Sequence, residues 1–339
     1  MEAFPKVSSV HMNQAVAVEA SGRRGVTHAA WLYLLSIAAA LFWFSGRYDP
    51  DFESYRLLYE FGGSWLQALG RDPLFVFFVK FFGERLSYEH FRYALCAVFS
   101  VALWRLANRF RTMSPEGFGL VQALFLTPLI LLKFHVQIRE GLALVIWLFA
   151  MTRKDGINIR SPWFWGSAVI SSALHIGVTV LWAATLLLGL LKKHYAAAMI
   201  LLLCSAYGLA ITSGRDFLLA PFVKEHEVFF RDTGFDVQIT SAKLLYWSVF
   251  LALPLLALIR FQPTAFGTFG TIGIYGLLGF FPVALFFGSG EGETSNVLRV
   301  ASTLMTLLGI QLSMTRPRSV LTWTILVFAL SDALRRILD

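Results

Sequence analysis

Residues 162–190 read PWFWGSAVISSALHIGVTVLWAATLLLGL, an apolar stretch of 29 residues with His175 near its middle. The stretch contains no Asp, Glu, Lys or Arg. About 20 helical residues cross the roughly 30 Å hydrocarbon core of a bilayer, so this stretch is too long for one straight span. The sequence therefore predicts a broken pair of membrane-embedded helices that folds back at His175.

The composition of the 339-residue chain agrees with a membrane location. Hydrophobic residues make up 57% and charged residues 15%, whereas soluble globular domains carry about 25% charge. The mean hydropathy is +0.64. A soluble fold has too little interior to cover so much apolar surface. We therefore expect an all-α, polytopic integral membrane protein, and nuclear, fibrous and disordered classes are excluded.

Eleven apolar segments follow one another along the chain, and most have 17 to 23 residues. They lie at about 27–46, 73–83, 90–108, 116–134, 137–152, 162–190, 195–213, 243–260, 266–288, 298–315 and 319–334. The segment 73–83 spans only roughly 17 Å as a helix, so we expect it to dip into the bilayer without crossing. Residues 27–336 are then one transmembrane domain of about 10–11 helical segments. We expect residues 1–26 to form a loose cytoplasmic tail.

The positive charges predict the orientation, because Lys and Arg favour cytoplasmic turns. The basic turns contain Arg23 and Arg24; Arg105, Arg109 and Arg111; Arg153, Lys154 and Arg160; Lys192 and Lys193; Arg260; and Arg316 and Arg318. If these are cytoplasmic, the tip at His175, the turn near 133–139 and the loops at about 46–72, 214–242 and 289–298 lie on the outer face. Only Arg335 and Arg336 disagree. Since the net charge of +8 sits in such turns, we expect no nucleic-acid partner.

The absence of several nucleotide-, metal- and redox-binding motifs reduces the number of functional classes to consider. The chain has no GxxxxGK[ST], HExxH or CxxC motif, and no GxGxxG that opens a βαβ unit. These absences argue against a primary pump or a cofactor-dependent oxidoreductase. Cys96 and Cys204 lie in apolar segments, so neither a disulfide framework nor a thiolate site is expected. We expect no metal and no cofactor.

Ionisable residues near the predicted outer face are the candidate functional residues, since charge at membrane depth is costly and often functional. Arg139 lies one or two turns into a helix, and His135 shares its face. Arg139 either snorkels to headgroups or belongs to a polar patch with Gln137 and Glu140. His175 is either a satisfied core residue or lines a cavity. Arg299 either pairs with an acid of the preceding loop or binds substrate.

The first outer loop offers a second group of candidates. Asp51, Tyr55 and Tyr59 are spaced four apart, which places a carboxylate and two phenols on one helix face. This pattern suits sugar binding or an interfacial aromatic belt. Asp72 precedes Pro73, a combination typical of a helix N-terminus. Asp72 is therefore either a structural cap or a catalytic acid.

In this order, the motifs resemble the EpsG family of Wzy-type polysaccharide polymerases. The matching pieces are Asp51-x-x-x-Tyr55 with Tyr59, then Asp72-Pro73-Leu74-Phe75, Gln137-Ile138-Arg139-Glu140-Gly141-Leu142-Ala143, Ala173-Leu174-His175 and Asn296-Val297-Leu298-Arg299. The resemblance covers about residues 27–315. The family commonly has Glu at the position of Asp72 and Gln at that of Glu140.

The resemblance implies a GT-C-like, metal-independent glycosyltransferase at the outer face of the bacterial inner membrane. Its donor and acceptor would be undecaprenyl-diphosphate-linked oligosaccharides, polymerised into O-antigen, capsule or exopolysaccharide. A chain-length regulator and a flippase would be pathway partners. Arg139 and Arg299 suit a diphosphate leaving group, and His175, Asp51 or Asp72 suits proton removal. Tyr55, Tyr59 and His135 would contact substrate.

Two other functions stay open at this point. An O-antigen ligase-like transferase would use the same carrier and a different acceptor. A flippase or transporter of lipid-linked sugars would place polar residues through the whole depth of the bilayer and often has repeated halves. The ionisable residues of this chain cluster toward one face, which favours the enzyme.

Overall fold

The computed structural model describes residues 30–42, 56, 59, 72–83, 85–114, 116–127, 131, 137–153, 157–212, 241–262, 266–287 and 293–338. Within these ranges the chain is almost entirely helical and has no strand, which confirms the predicted all-α class. The α-helices are α1 (Ala30–Phe42), α2 (Pro73–Gly83), α3 (Tyr88–Met113), α4 (Phe118–Phe125), α5 (Ile138–Met151), α6 (Pro162–Leu174), α7 (Thr179–Leu190), α8 (Lys193–Thr212), α9 (Ser241–Arg260), α10 (Thr268–Phe287), α11 (Glu293–Thr315) and α12 (Val320–Leu338).

The predicted break at His175 is confirmed. Helix α6 begins with Pro162 in its first turn and ends at Leu174, and a 3₁₀ turn at Ile176–Val178 leads into α7. The two helices return alongside each other. The indole Nε1 of Trp182 in α7 donates to Ser171 Oγ of α6 at 2.5 Å, and the Trp182 ring meets Phe164 edge-on at 5.0 Å. Residues 162–190 therefore form a hairpin with His175 at its tip.

Helix α10 is the centre of the described bundle and packs against α8 and α11. Its sequence places a glycine at every third position, at Gly270, Gly273, Gly276 and Gly279. A spacing of three residues is shorter than one helical turn of 3.6 residues. Successive glycines therefore lie at different positions around the helix axis. A Cβ at Gly273 would lie 2.8 Å from the Leu304 carbonyl of α11, and one at Gly279 would overlap the Leu201 carbonyl of α8. The missing side chains therefore allow close backbone contact on two sides.

Three described helices are long and apolar enough to cross a membrane: Lys193–Ala210 in α8, Thr268–Leu285 in α10 and Val297–Thr315 in α11. In the α10 and α11 windows 67% and 78% of the residues are buried, against 28% in α8, so α8 lies at the periphery. Five other apolar helices are shorter, with 10 to 17 residues. The chain is thus an all-α membrane protein with fewer long spans in its described part than the eleven apolar segments predict.

An interruption in one apolar segment and the charges of another helix account for part of the difference in the number of long helices. Residues 116–134 read as one span, but α4 ends at Phe125, and a turn follows in which Thr127 N donates to the Leu124 carbonyl. Proline at position 128 lacks a backbone N–H and disfavours a helical residue before it. By contrast, α3 is long enough, with 26 residues, but carries several arginines. The segment 73–83 is a helix of 11 residues, with the bounds that the sequence predicts.

The outward surface of the bundle is apolar. Val169 and Ile170 of α6, Leu202 of α8 and Val327 of α12 are all well exposed, and Val169 is 66% exposed. Large aliphatic side chains on several helices would be unfavourable in water, whereas lipid acyl chains solvate them. This surface agrees with the membrane location that the composition predicts.

The basic turns of the chain meet at one end of the bundle. Arg109 Nη1, near the end of α3, donates to the Phe149 carbonyl near the end of α5 at 2.9 Å. Lys193 Nζ, at the start of α8, donates to the Phe266 carbonyl before α10. Arg316, after α11, lies over the Phe261 ring after α9. We call this the basic end. Helices α5 and α7 both begin at the opposite end of the bundle.

Candidate active site

Asp72 joins three parts of the chain at the end of the bundle opposite the basic end. Its backbone carbonyl accepts from Val76 N at 3.1 Å, so it opens α2. Its side chain is 4% exposed, and Oδ2 accepts from Arg139 Nη1 of α5 at 2.5 Å. Oδ1 accepts from the Ile176 backbone N–H at 3.1 Å. The carboxylate therefore connects α2, α5 and the tip of the α6–α7 hairpin.

His175 lies against the same carboxylate. Its backbone is extended (φ −158°, ψ 114°), which ends α6 and turns the ring away from the helix axis. Nδ1 lies 3.6 Å from Asp72 Oδ1 and has no hydrogen-bond partner among the described residues. The other ring edge faces Gly177, where an added Cβ would lie 2.9 Å from His175 Nε2 and 3.1 Å from the Tyr207 hydroxyl of α8. The residue at 177 therefore has to be small for the ring to occupy this place.

A second set of polar side chains lies between the start of α5 and the first turns of α11. Thr303 Oγ1 donates to Glu140 Oε1 at 2.8 Å. The Gln137 amide, oriented to match its neighbours, donates to Glu140 Oε2 at 2.6 Å and accepts from Arg299 Nε at 2.7 Å. These bonds connect Arg299 to the helix that carries Arg139. We call Asp72, Gln137, Arg139, Glu140, His175, Arg299 and Thr303 the polar cluster.

The electrostatics of the cluster hold Asp72 in its charged form. Burial by itself would raise the pKa of this carboxyl. The His175 ring, the Arg139 guanidinium and the Ile176 N–H outweigh burial, and together they lower the pKa of Asp72 below its ordinary value. Opposite charges and hydrogen bonds to the anion both favour ionisation. Asp72 is thus an ionised carboxylate that accepts hydrogen bonds.

Two arginines and two carboxylates make up the permanent charges of the polar cluster. Arg139 Nη1 donates to Asp72, and the Arg139 side chain is 34% exposed. The His175 side chain is 28% exposed. Arg139 is therefore held by Asp72, and the side chains of Arg139 and His175 are both partly exposed at the surface. An arginine so fixed is suited to bind phosphate oxygens.

Of the eight candidate residues, the structure brings Asp72, Arg139, His175 and Arg299 into the polar cluster. Asp51, Tyr55 and His135 lie outside the described residues, as do the tail 1–26 and most of the three predicted outer loops. The sequence left two interpretations open for each of two residues. Asp72 both begins a helix and forms an ion pair, and Arg139 pairs with Asp72 rather than only extending to the headgroups.

Tyr59 lies away from the polar cluster. Its hydroxyl donates to the Leu86 carbonyl at 2.9 Å. Leu86 follows the C-terminal end of α2, whereas Asp72 lies at the N-terminal end. The ring packs against Tyr88 and Phe91 and is 7% exposed. The structure therefore places Tyr59 in an aromatic cluster that supports α2 and α3, instead of in the site where the sequence pattern puts it.

Four residues of the site region have a weak signal or none in the sequence. Gln137 and Glu140 stand out in the sequence only as polar neighbours of Arg139. Thr303 lies four residues after Arg299, on the same face of α11, and this spacing was the available signal. Tyr207 gives no signal, because it is one aromatic residue in an apolar helix.

Comparisons with known proteins leave the family open. No model of a known protein family matches the chain, and neither a curated protein nor a solved structure matches it. The resemblance to Wzy-type polymerases therefore depends on the ordered sequence motifs alone.

Proposed function

We propose that the protein is a membrane glycosyltransferase of the EpsG/Wzy type with a GT-C-like architecture. It would polymerise undecaprenyl-diphosphate-linked oligosaccharide units into O-antigen, capsule or exopolysaccharide at the outer face of the bacterial inner membrane. The observation that carries this proposal is the convergence of Asp72, Arg139, His175 and Arg299 in one polar cluster. These residues come from four separate motifs of the resemblance, spread over more than 200 residues of chain.

The reaction requires two kinds of group. A hydroxyl oxygen of the acceptor sugar attacks C1 of the sugar attached to the donor diphosphate. The new C1–O bond forms as the C1–O bond to the diphosphate breaks, and the lipid diphosphate leaves with the bonding electron pair. The hydroxyl proton passes to a base. The site therefore needs a base near the acceptor and fixed cations near the leaving group.

His175 is the base that the geometry favours. Asp72 lies beside its Nδ1, so a proton on Nδ1 would face a carboxylate and leave Nε2 as the acceptor of a proton. Asp72 itself is poorly suited to remove a proton, because both of its oxygens already accept hydrogen bonds. We assign Asp72 as a positioning residue that orients both His175 and Arg139.

Arg139 and Arg299 supply the positive charge in this proposal. Asp72 anchors Arg139, and Gln137 anchors Arg299 through Nε. Guanidiniums held in advance at the place where charge develops lower the barrier without reorganising during the reaction. Glu140 belongs to the same network and limits the local positive charge when no substrate is bound.

The test is reconstitution of the purified protein in liposomes with a lipid-linked repeat unit labelled on its sugar. A polymerase gives a ladder of longer lipid-linked products. His175→Gln should lower the rate by about 100-fold or more, while His194→Gln, an exposed histidine at the basic end, should leave the rate unchanged.

The competing functions give different products in the same experiment. A ligase-like transferase yields no ladder until a second acceptor is added, and then one product per transfer. A flippase moves the label across the bilayer without changing its length. Either result would replace the proposal.

A further inference from the structure

A groove at the basic end of the bundle lies far from the polar cluster. It has a volume of about 810 Å³ and lies between the end of α9 and the turn that joins α11 to α12. Its polar lining includes Arg260, Arg316, Arg318 and Glu116. The lining therefore carries a net of two positive charges, and no ion pair to these arginines is found among the described residues. Such a groove attracts an anion.

The other wall of the groove is apolar and faces outward. Ile259 is 81% exposed and Val320 82% exposed, and the side chain of Leu256 is also exposed. These residues continue the lipid-facing surface of α9 and α12. A small soluble anion would contact the arginines and leave this wall uncovered. A ligand with both a phosphate and acyl chains would cover both.

The turn that holds the arginines is itself well ordered by hydrogen bonds. The Arg316 carbonyl accepts from Ser319 N at 3.0 Å and from Thr322 Oγ1 at 2.7 Å. The Arg316 guanidinium lies over the Phe261 ring, 5.6 Å from its centroid. The positions of Arg316 and the backbone around it are thus set before a ligand arrives, which lowers the entropy cost of binding.

We propose that this groove is a binding site for an anionic phospholipid, with the headgroup phosphate on Arg260, Arg316 and Arg318 and an acyl chain along Leu256, Ile259 and Val320. Basic pockets between helices at the cytoplasmic face commonly recognise anionic headgroups. The site is independent of the proposed glycosyltransferase activity. It would anchor α9, α11 and α12 to one leaflet.

The experiment measures lipid retained by the purified protein in detergent, by native mass spectrometry. Phosphatidylglycerol and phosphatidylcholine with identical acyl chains are added together. The wild type should retain phosphatidylglycerol at least about tenfold in excess. The triple variant Arg260→Gln, Arg316→Gln, Arg318→Gln should lose this preference. The matched control Arg105→Gln, Arg160→Gln, Lys192→Gln removes three exposed cations outside the groove and should keep it.

Several outcomes would overturn the proposal. These are equal retention of the two lipids by the wild type, an unchanged preference in the groove variant, or an equal loss in both variants. Displacement of phosphatidylglycerol by equimolar inorganic phosphate would indicate a site for a soluble anion. A photoactivatable phosphatidylglycerol tests the site on the wild type even if the groove variant does not fold. Cross-links are expected on residues 256–261 and 320–324, and cross-links only elsewhere contradict the site.

Discussion

At the residue scale, Arg139 depends on Asp72 for its position. The 2.5 Å contact joins Arg139 Nη1 to Asp72 Oδ2 and so fixes the position of the guanidinium. Arg139→Ala removes a preorganised charge, so we expect polymer formation to fall by about 100-fold or more. Arg139→Lys keeps the charge but loses the planar fork. Its activity should lie between that of the wild type and that of Arg139→Ala. The measurement is the initial rate of product formation at matched protein levels.

The control for Arg139 is Arg105→Ala, because Arg105 is an exposed arginine of α3 outside the polar cluster. It should retain wild-type activity. Full activity of an Arg139→Ala protein that inserts normally would contradict the assignment of Arg139 to the leaving group.

Asp72 affects stability as well as geometry. Asp72→Asn keeps the shape and removes the charge from hydrogen bonds to Arg139 and Ile176. We expect a loss of about 2 kcal/mol in the free energy of unfolding at neutral pH. The folded-state pKa is lowered, so the contribution of Asp72 is fully present above its unfolded pKa of about 4. It is lost as the pH falls through the lower folded-state value.

The measurement for Asp72 is thermal unfolding in detergent from pH 7 to pH 3. The difference between wild type and Asp72→Asn should stay constant down to about pH 5 and shrink below about pH 4. A difference that is independent of pH across this range would mean that the ionised carboxylate contributes nothing to stability.

At the element scale, the contact of α10 with α8 relies on a missing side chain. A Cβ at Gly279 would overlap the Leu201 carbonyl, which is backbone and has little freedom to move. Gly279→Ala should therefore force the helices apart and cost about 1–3 kcal/mol, as overpacked interiors do. The loss is measured as a lower unfolding temperature in detergent.

A matched substitution separates packing from helix propensity. Gly166 lies in the middle of α6, and a Cβ there would meet nothing within 4 Å. Gly166→Ala should be neutral or should stabilise the protein by up to about 1 kcal/mol. Equal effects of the two substitutions would contradict the close approach of α8 and α10.

At the scale of the whole molecule, the separation of the polar cluster from the basic end predicts its orientation in the membrane. Cys96 and Cys204 are both buried, so they give little background to thiol labelling. We expect Glu291→Cys, in the predicted outer loop 289–298, to react with a membrane-impermeant maleimide in intact cells. Arg318→Cys should react only after the membrane is permeabilised. The reverse pattern would place the polar cluster on the cytoplasmic side.

The sequence by itself determined the helical membrane class, the break at His175 and the bounds of the short helix 73–83. These depend on local properties: the apolar content of a segment, its length against the bilayer, and a proline after an acid. The convergence of Asp72 with Arg139, and of Arg299 with Gln137, was decided only by the tertiary structure. Residues far apart in the chain meet because helices pack on one another, and the glycines that allow this packing read in the sequence only as small residues.

The tertiary structure also decided what the sequence left ambiguous about individual residues. Spacing placed Tyr59 on a substrate-binding face, but its hydroxyl bonds to Leu86 and its ring is buried. Spacing describes one helix and contains no information about which neighbour covers each face. Charge was more informative, because a charged group at membrane depth needs a partner wherever the chain places it. That requirement is why Asp72, Arg139 and Arg299 could be selected from the sequence, while their partners could not.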